Sequence, residues 1–278
     1  MTRHITFERL HNFRDLGGYR SSDGQTVRWG RLFRSDSLGK LRGEDFRRFL
    51  ALDVATVIDL RYPWEIEARG RVPEHPSLTY RNLSIEHRPY DQAALGPEVA
   101  AGRYLADRYL EVAHDGVREL GRALAVIAAE DGPVVFHCAS GKDRTGLLAA
   151  LVLSLLGVDE ADIVEDFTLT ERATGRLVAD WRADHPGREL TWPDYGRAPA
   201  EVMRLFLADL TERHGSVRRY AADLLGADDA VVAALRRRLL EPAEHPAEPA
   251  RPADPAGPTG PASTRLPGQT PGAPTPTP

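Results

Sequence analysis

The fold is decided by one stretch in the middle of the chain, residues 133–157, which reads PVVFHCASGKDRTGLLAALVLSLLG. Its opening part, Pro133 to Cys138, is short and rich in β-branched side chains, which predicts a buried strand. From Thr145 to Leu156 the stretch is almost wholly apolar, which predicts a buried helix with Gly157 as its C-cap. A short polar loop therefore joins a buried strand directly to a buried helix.

The alternation of strand and helix extends outward from this stretch. A second β-branched run, Ala55 to Leu60, predicts another buried strand. Apolar residues recur at helical spacing before each strand and again after residue 200, at Phe46, Phe49 and Leu50, at Val117, Leu120, Leu124 and Ile127, at Val202, Leu205, Phe206 and Leu210, and at Val231, Leu235 and Leu239. This order predicts an α/β fold, in which helices flank both faces of a mostly parallel central sheet.

The composition changes near Leu240. Twelve of the 21 prolines lie in residues 241–278, where Ala, Gly and Thr fill most of the remaining positions. Such a segment has too little apolar surface to offset the entropy cost of ordering it. We predict a folded domain over residues 1–240 and a disordered tail, rich in Pro and Ala, over residues 241–278.

Charge, apolar content and cysteine usage argue against several classes of protein. A net charge of −5 argues against sequence-independent binding of nucleic acid. No run approaches the ~20 apolar residues that span a bilayer, so integral membrane association is not expected. The first ten residues lack the apolar core of a secretory signal, so we expect a cytoplasmic location, with signal-independent export left open. Cys138 is the only cysteine, which excludes an internal disulfide.

The loop over residues 137–145 has the composition of an anion-binding cradle. A helix N-terminus presents unpaired backbone N–H groups and a partial positive charge, and the loop that leads into it turns further N–H groups inward. The same field favours the thiolate of Cys138, which is its nucleophilic form. The residues expected to bind phosphate are Ala139, Ser140, Gly141, Lys142, Asp143 and Arg144.

Two side chains of the loop suit the transfer of a phosphoryl group to sulfur. Arg144 is charged at any working pH and can hold two phosphoryl oxygens at once. The hydroxyl of Thr145 can donate to the Cys138 sulfur, which makes the sulfur a better leaving group when a phosphocysteine is hydrolysed. A lone cysteine in apolar surroundings is more often inert. Here, however, the neighbouring residues all fall where a cradle requires them.

The run from His137 to Gly146 resembles the signature of the Cys-x5-Arg phosphatases. Together with residues 12–19, NFRDLGGY, it is similar to one branch in particular, the bacterial tyrosine phosphatases typified by mycobacterial protein tyrosine phosphatase B. Three further segments match the same branch, namely residues 32–35, 57–61 and 215–236. The resemblance covers residues 5–240 and leaves out the tail.

The resemblance implies a tyrosine-phosphatase fold and hydrolysis of phosphotyrosine, with phosphoserine, phosphothreonine and phosphoinositides as further candidate substrates. It implies that neither a metal nor a cofactor is needed. Lys142 and Asp143 are the distinctive loop residues of that branch. A helical lid after the loop would fall, by this analogy, between Leu177 and Arg219.

Hydrolysis also needs a proton donor for the leaving oxygen, and three aspartates are candidates. Asp143 lies inside the cradle, and the resemblance favours it, although it could instead brace the loop backbone. Asp59 ends a predicted strand, at the edge where ligands bind in α/β sheets, although it could instead pair with Arg61 or cap the next turn. The tripeptide Trp192-Pro193-Asp194 spells the acid loop of many eukaryotic tyrosine phosphatases. It follows the cysteine instead of preceding it, so we interpret it as a surface turn.

Arg14 and Asp15 form a second polar group, next to a Gly17-Gly18 turn. The family pattern places them beside the catalytic loop, and the alternative is that they tie the N-terminal segment to the core. We expect His137 to order the loop by hydrogen bonds, without exchanging protons.

The sequence thus predicts a cysteine-dependent protein-tyrosine phosphatase whose domain spans residues 1–240 and which acts on phosphotyrosine proteins. The predicted catalytic residues are Cys138, Arg144, Asp143, Asp59 and Thr145. One alternative is a phosphoinositide or inositol-phosphate phosphatase, because Lys142 adds a second cation to the loop. The alternative of another class is a catalytically silent phosphate-binding module, against which the intact Cys138, Arg144 and Thr145 argue.

Overall fold

The fold is built on a five-stranded sheet, seen in a computed structural model that describes residues 2–85 and 91–243. The strands are β1 (Arg14–Asp15), β2 (Gln25–Val27), β3 (Leu32–Ser35), β4 (Thr56–Asp59), β5 (Thr79–Asn82), β6 (Val134–His137) and β7 (Leu240–Pro242). The sheet has the order β1-β3-β6-β4-β5, and only the edge strand β1 is antiparallel to its neighbour. Strands β2 and β7 form a separate antiparallel pair.

Helices surround this sheet. The described ranges contain α1 (Gly43–Leu50), α2 (Pro63–Arg69), α3 (Ala101–Asp115), α4 (Val117–Ala129), α5 (Asp143–Leu156), α6 (Glu160–Thr168), α7 (Glu171–Asp184), α8 (Ala200–His214), α9 (Val217–Leu225) and α10 (Asp229–Leu239). Short 3-10 turns occur at Leu38–Lys40 and Gln92–Ala94. The predicted α/β class, with a mostly parallel sheet, is confirmed.

The two faces of the sheet bury two separate cores. Alternate side chains of a strand point to opposite faces, so Val134 and Phe136 of β6 enter one core while Val135 enters the other. The larger core is shared with α3, α4, α5 and α8 to α10, and the smaller with α1 and the N-terminal segment. Helix α5 is almost entirely buried, as its unbroken apolar sequence predicts.

The element boundaries lie close to the predicted ones. Strand β6 loses one residue at each end of the predicted run, and α5 begins at Asp143, two residues before the predicted start. Gly157 caps α5 in the left-handed conformation, with φ of 83°. A side chain is strained in this conformation, so the sequence signal for the helix end was sound.

Ordered structure continues past Leu240, because β7 pairs with β2 as far as Pro242. The described residues form one compact unit, which extends to Ala243. The predicted tail lies, from residue 244 on, outside the described residues, so the division at residue 240 stays a prediction. Within residues 2–85 and 91–243, no helix combines the length and apolar character that a membrane crossing requires. The cytoplasmic location also stays a prediction.

Candidate active site

The candidate site forms where three parallel strands end side by side. Ser35 of β3 and Asp59 of β4 both pair in register with His137, the last residue of β6. The carboxyl ends of parallel strands are the edge where ligands bind in open α/β sheets. The loop after β6 crosses this edge and enters α5, with Cys138 only 1% exposed at its start. The cysteine is thus buried at the start of the loop.

Gly141 lets this loop turn tightly against β3. Its φ is 69°, and a Cβ at this position would lie 2.5 Å from the carbonyl oxygen of Ser35. Both the positive φ and the close approach exclude a larger residue without a shift of the backbone. The loop is therefore seated directly on the end of the sheet.

Hydrogen bonds from outside hold the carbonyl groups of the loop. Arg34 Nη2 donates to the Gly141 oxygen at 2.8 Å, Asn12 Nδ2 to the Ser140 oxygen at 3.1 Å, and the Ser37 N–H to the Ala139 oxygen at 3.1 Å. The N–H and C=O of a trans peptide point in opposite directions. Carbonyls held from outside thus turn the N–H groups of the loop toward its interior, where those of Ser140 and Gly141 can bind an anion and that of Lys142 lies 3.4 Å from Ser140 Oγ.

A buried carboxylate, Asp166 of α6, fixes the arginine that supports the loop. Arg34 Nη1 and Arg14 Nε donate to its two oxygens at 2.5 and 2.9 Å. Burial alone would raise the pKa of Asp166, but the two guanidinium groups lower it to about 2. Arg14 Nη1 also donates to the Asn12 side chain at 2.6 Å. Arg14 therefore supports the loop indirectly, through the hydrogen bonds of Asn12 and Asp166.

Asp15 braces the N-terminal turn. Its oxygens accept from the backbone N–H groups of Gly17 at 2.7 Å and Gly30 at 2.6 Å. Burial raises the pKa of Asp15. These contacts correspond to the structural alternative that the sequence left open for this residue.

Arg144 lies in the first turn of α5, oriented by a partner that the sequence analysis missed. Its Nη1 and Nη2 donate to the two carboxylate oxygens of Glu65 at 2.6 and 2.9 Å. Burial opposes both charges, but the ion pair outweighs it, so the pKa of Arg144 is raised and that of Glu65 is lowered. Glu65 follows Pro63 in α2 and accepts from the Tyr62 N–H at 2.8 Å. That capping pattern indicates from sequence where α2 begins. It does not indicate that Glu65 pairs with Arg144 across the site.

Asp143 lies at the mouth of the cradle. Tyr109 Oη donates to its Oδ1 at 2.8 Å, and Lys142 Nζ is 3.4 Å from the same atom. The Lys142 ammonium also donates to Gln92 Oε1 at 3.2 Å, and the residue is 1% exposed. The Lys142 ammonium is therefore held between Gln92 and Asp143 and is almost completely shielded from solvent.

Asp59, the other candidate acid, is completely buried in an ion pair. Arg61 Nε and Nη2 donate to its two oxygens at 2.9 and 2.7 Å, and Tyr80 Oη adds a bond of 2.9 Å. Burial acts to raise the pKa of Asp59, but His137 and Arg61 together lower it. The structure thus shows the Arg61 ion pair that the sequence left open as an alternative.

His137 and Thr145 flank the nucleophile within the core. His137 Nδ1 donates to the Cys138 carbonyl oxygen at 3.2 Å, and burial lowers the pKa of the imidazole. The Thr145 hydroxyl is buried and has no hydrogen-bond partner among the described residues. The predicted bond from Thr145 to the Cys138 sulfur is therefore not formed in this structure.

A cavity of about 860 Å³ opens above the loop. Ala139, Ser140, Lys142 and Asp143 line one side of it, and the second half of α7 lines the other, so part of the predicted lid segment faces the loop. Among the described residues, no three His, Cys, Asp or Glu side chains meet as a metal ion would require.

The Trp192-Pro193-Asp194 tripeptide lies apart from this chemistry. A turn follows Trp192, as predicted, but Trp192 itself is 2% exposed and its Nε1 donates to the Val99 carbonyl oxygen at 2.9 Å. The expectation of a surface position was wrong for the tryptophan, because its ring packs on Tyr104. Asp194 Oδ1 lies 3.6 Å from Arg197 Nη1.

Comparisons with known proteins agree with this geometry. A family model described as the tyrosine phosphatase family matches residues 5–241. A Cupriavidus necator protein with a provisional tyrosine-protein phosphatase name is 32% identical over 256 residues, covering 85% of this chain and 88% of that protein. The triple specificity protein phosphatase PtpB of Mycobacterium tuberculosis is 30% identical over 196 residues, covering 60% of this chain and 69% of that protein.

Among solved structures, P. aeruginosa TpbA in complex with pTyr is 18% identical and covers 66% of this chain and 89% of that chain. Its TM-score of 0.29 is too low to support a conclusion.

Proposed function

This chain belongs to the tyrosine phosphatase family, and we propose that it hydrolyses phosphotyrosine in proteins through a phosphocysteine intermediate on Cys138. One observation carries the proposal. The loop between β6 and α5 places the buried Cys138 at the start of an anion cradle whose carbonyl groups are held from outside. Arg144 lies in the first turn of α5, close enough to Cys138 for their charges to interact.

In the first step, the Cys138 sulfur attacks phosphorus and the bond from phosphorus to the tyrosine oxygen breaks. Asp143 gives a proton to that leaving oxygen. In the second step, water attacks phosphorus, Asp143 takes a proton from the water, and the sulfur leaves. The products are inorganic phosphate and the restored thiolate.

Arg144 and the loop N–H groups stabilise the charge that develops on the phosphoryl oxygens in both steps. Glu65 holds both terminal nitrogens of Arg144 and limits the rotation of its side chain. Preorganisation of this kind lowers the barrier, because the charged group need not reorient during the reaction.

Asp143 is the better supported acid of the two candidates. It lines the cavity together with Ala139, Ser140 and Lys142 of the loop, and the contacts from Tyr109 and Lys142 are both made to its Oδ1. Asp59 is buried, and Arg61 binds both of its oxygens. We therefore assign Asp59 to positioning the strand ends and Asp143 to proton transfer.

The substrate range extends, on the likeness to the triple specificity enzyme PtpB, to phosphoserine and phosphothreonine. Phosphoinositides remain the alternative substrate. A second phosphate of such a substrate would need the ammonium of Lys142, which is instead bound to Gln92 in this structure. Phosphotyrosine therefore leads.

The direct test measures phosphate release from a phosphotyrosine peptide, a phosphoinositide and para-nitrophenyl phosphate by the purified full chain. We expect turnover of the peptide and of the aryl phosphate, and loss of both in Cys138→Ser, which should still bind the peptide. If the wild-type chain binds phosphate but turns over none of the three, the protein is a silent binding module.

A further inference from the structure

The cavity above the loop has a charge balance that depends on α7. Five basic and five acidic residues line it, apart from one histidine, and two of the acids, Asp180 and Asp184, belong to α7. The rest of the wall therefore carries an excess of positive charge. A concave surface with such an excess attracts anionic ligands.

Asp180 is held by two donors from the opposite wall. Its Oδ2 accepts from Lys40 Nζ at 2.7 Å and lies 3.0 Å from His11 Nε2. Burial and the neighbouring Lys40 ammonium lower the pKa of His11, while Asp36 and Asp180 act in the opposite direction. Lys40 also binds the buried carboxylate of Asp36 at 3.1 Å, which fixes the position of its ammonium. A preformed seat for one carboxylate thus lies beside the loop.

Asp184 makes a second pair one helical turn further on. It binds Arg69, the last residue of α2. Residues four apart lie on the same helix face, so α7 presents both carboxylates to the cavity. Between them Trp181 packs on Tyr195, with ring centroids 5.6 Å apart, and both line the cavity.

Both pairs are accessible to solvent. The side chain of Asp180 is 43% exposed and that of Asp184 is 42% exposed. Exposed ion pairs contribute little to stability, because water competes for both partners. A ligand that brings its own carboxylates can therefore replace these two without unfolding the helix.

We propose that Lys40 and Arg69 form a substrate subsite for acidic side chains, which Asp180 and Asp184 occupy in the free enzyme. The inference rests on the proposed phosphatase activity and narrows its substrate class to phosphotyrosine with Asp or Glu nearby in the sequence. Because the present occupants are aspartate carboxylates, the subsite favours acidic peptide over phosphorylated lipid. The aromatic pair of Trp181 and Tyr195 supplies an apolar wall between the two cations.

The test compares two phosphotyrosine peptides that differ only in flanking residues, acidic in one and alanine in the other. The measured quantity is the ratio of their kcat/KM values within each enzyme. Wild type should favour the acidic peptide. The double variant Asp180→Asn, Asp184→Asn should raise the ratio about threefold to tenfold, since two competing surface pairs are lost. Lys40→Met with Arg69→Met should bring the ratio close to one.

Arg47→Met is the matched control, because Arg47 is an exposed arginine that pairs with Glu44 on α1 and does not line the cavity. Its ratio should equal that of wild type, and the wild-type preference should shrink with added salt. An unchanged ratio in both double variants would overturn the subsite, while turnover of the alanine peptide would still uphold the phosphatase activity. If the double variant Asp180→Asn, Asp184→Asn hydrolyses a phosphoinositide faster than wild type does but neither peptide faster, the peptide assignment is overturned in favour of a lipid headgroup.

Discussion

At the residue scale, two neighbours in α5 divide the proposed chemistry. Asp143 faces the cavity and Arg144 faces Glu65, so adjacent residues of one helical turn point to different partners. Asp59, which could reach the same edge of the sheet, is instead enclosed by Arg61 and Tyr80. Proton transfer and charge stabilisation can therefore be tested by separate substitutions.

Asp143→Asn should lower turnover of an aryl phosphate by about 10²-fold, the usual scale for losing a positioned acid. The loss should shrink for leaving groups of low pKa, because they depart without protonation. Steady-state kinetics over a series of substituted phenyl phosphates measures this dependence. Asp59→Asn is the comparison, and if it alone shows leaving-group dependence, the two roles must be exchanged.

Glu65→Gln should lower kcat about tenfold to a hundredfold with a smaller change in KM, because Arg144 loses the partner that orients it for the transition state. Vanadate inhibition, measured beside the kinetics, should weaken in parallel. Glu67→Gln on the same helix is the control, since that side chain is exposed. Equal effects of the two substitutions would remove the positioning role from Glu65.

At the element scale, the loop is held by parts of the chain that are distant in sequence. Asp166 of α6 binds Arg34 of β3 and Arg14 of β1, across 132 and 152 residues. The strand, loop and helix of residues 133–157 were predictable because their signals are local. The partners Asp166 and Glu65 were not, since no pattern in the sequence states which distant carboxylate reaches which arginine.

Asp166→Asn should destabilise the fold by about 3 to 5 kcal/mol at pH 7, because it leaves buried guanidinium charge unpaired. The pKa of Asp166 is about 2 in the folded chain, below its unfolded value near 3.9. The ionised Asp166 therefore stabilises the fold above pH ~4, and this stabilisation is lost as the pH falls toward 2.

Urea unfolding of wild type and Asp166→Asn from pH 7 to pH 2 measures the free energy of unfolding of each. The difference between the two free energies should narrow below pH ~4. Glu165→Gln, an exposed neighbour on α6, should change stability little at any pH. If the difference in free energy of unfolding between wild type and Asp166→Asn stays constant down to pH 2, the ion pairs of Asp166 with Arg14 and Arg34 do not contribute as proposed.

At the scale of the whole molecule, composition predicts that the folded domain ends near Leu240, and the described structure continues to Ala243. Composition missed β7, because a three-residue strand ending in Pro242 has no periodicity to read. Strands β1 and β2, of two and three residues, were missed because they are also too short to show a periodic pattern. Trp192 was misplaced because burial of one aromatic ring in a turn depends on the neighbours that folding brings to it.

Truncation after Ala243 should leave the melting temperature unchanged, since the composition of the remaining tail offers little apolar surface to bury. Truncation after Leu239 removes β7, including the buried Leu240, and should lower it by several degrees. Thermal unfolding of the two shortened chains and the full chain decides this. A drop of several degrees in the first truncation would show that the tail contributes to the fold.

The proposed reaction passes through phosphate bound to Cys138, and that intermediate can be trapped. The full chain is mixed with a phosphotyrosine peptide, quenched in acid within milliseconds, and analysed by mass spectrometry of the intact protein and of its peptides. We expect one added phosphoryl group, located on Cys138 and absent from Cys138→Ser. Turnover without any phosphorylated enzyme, or with the phosphoryl group on another residue, would contradict it.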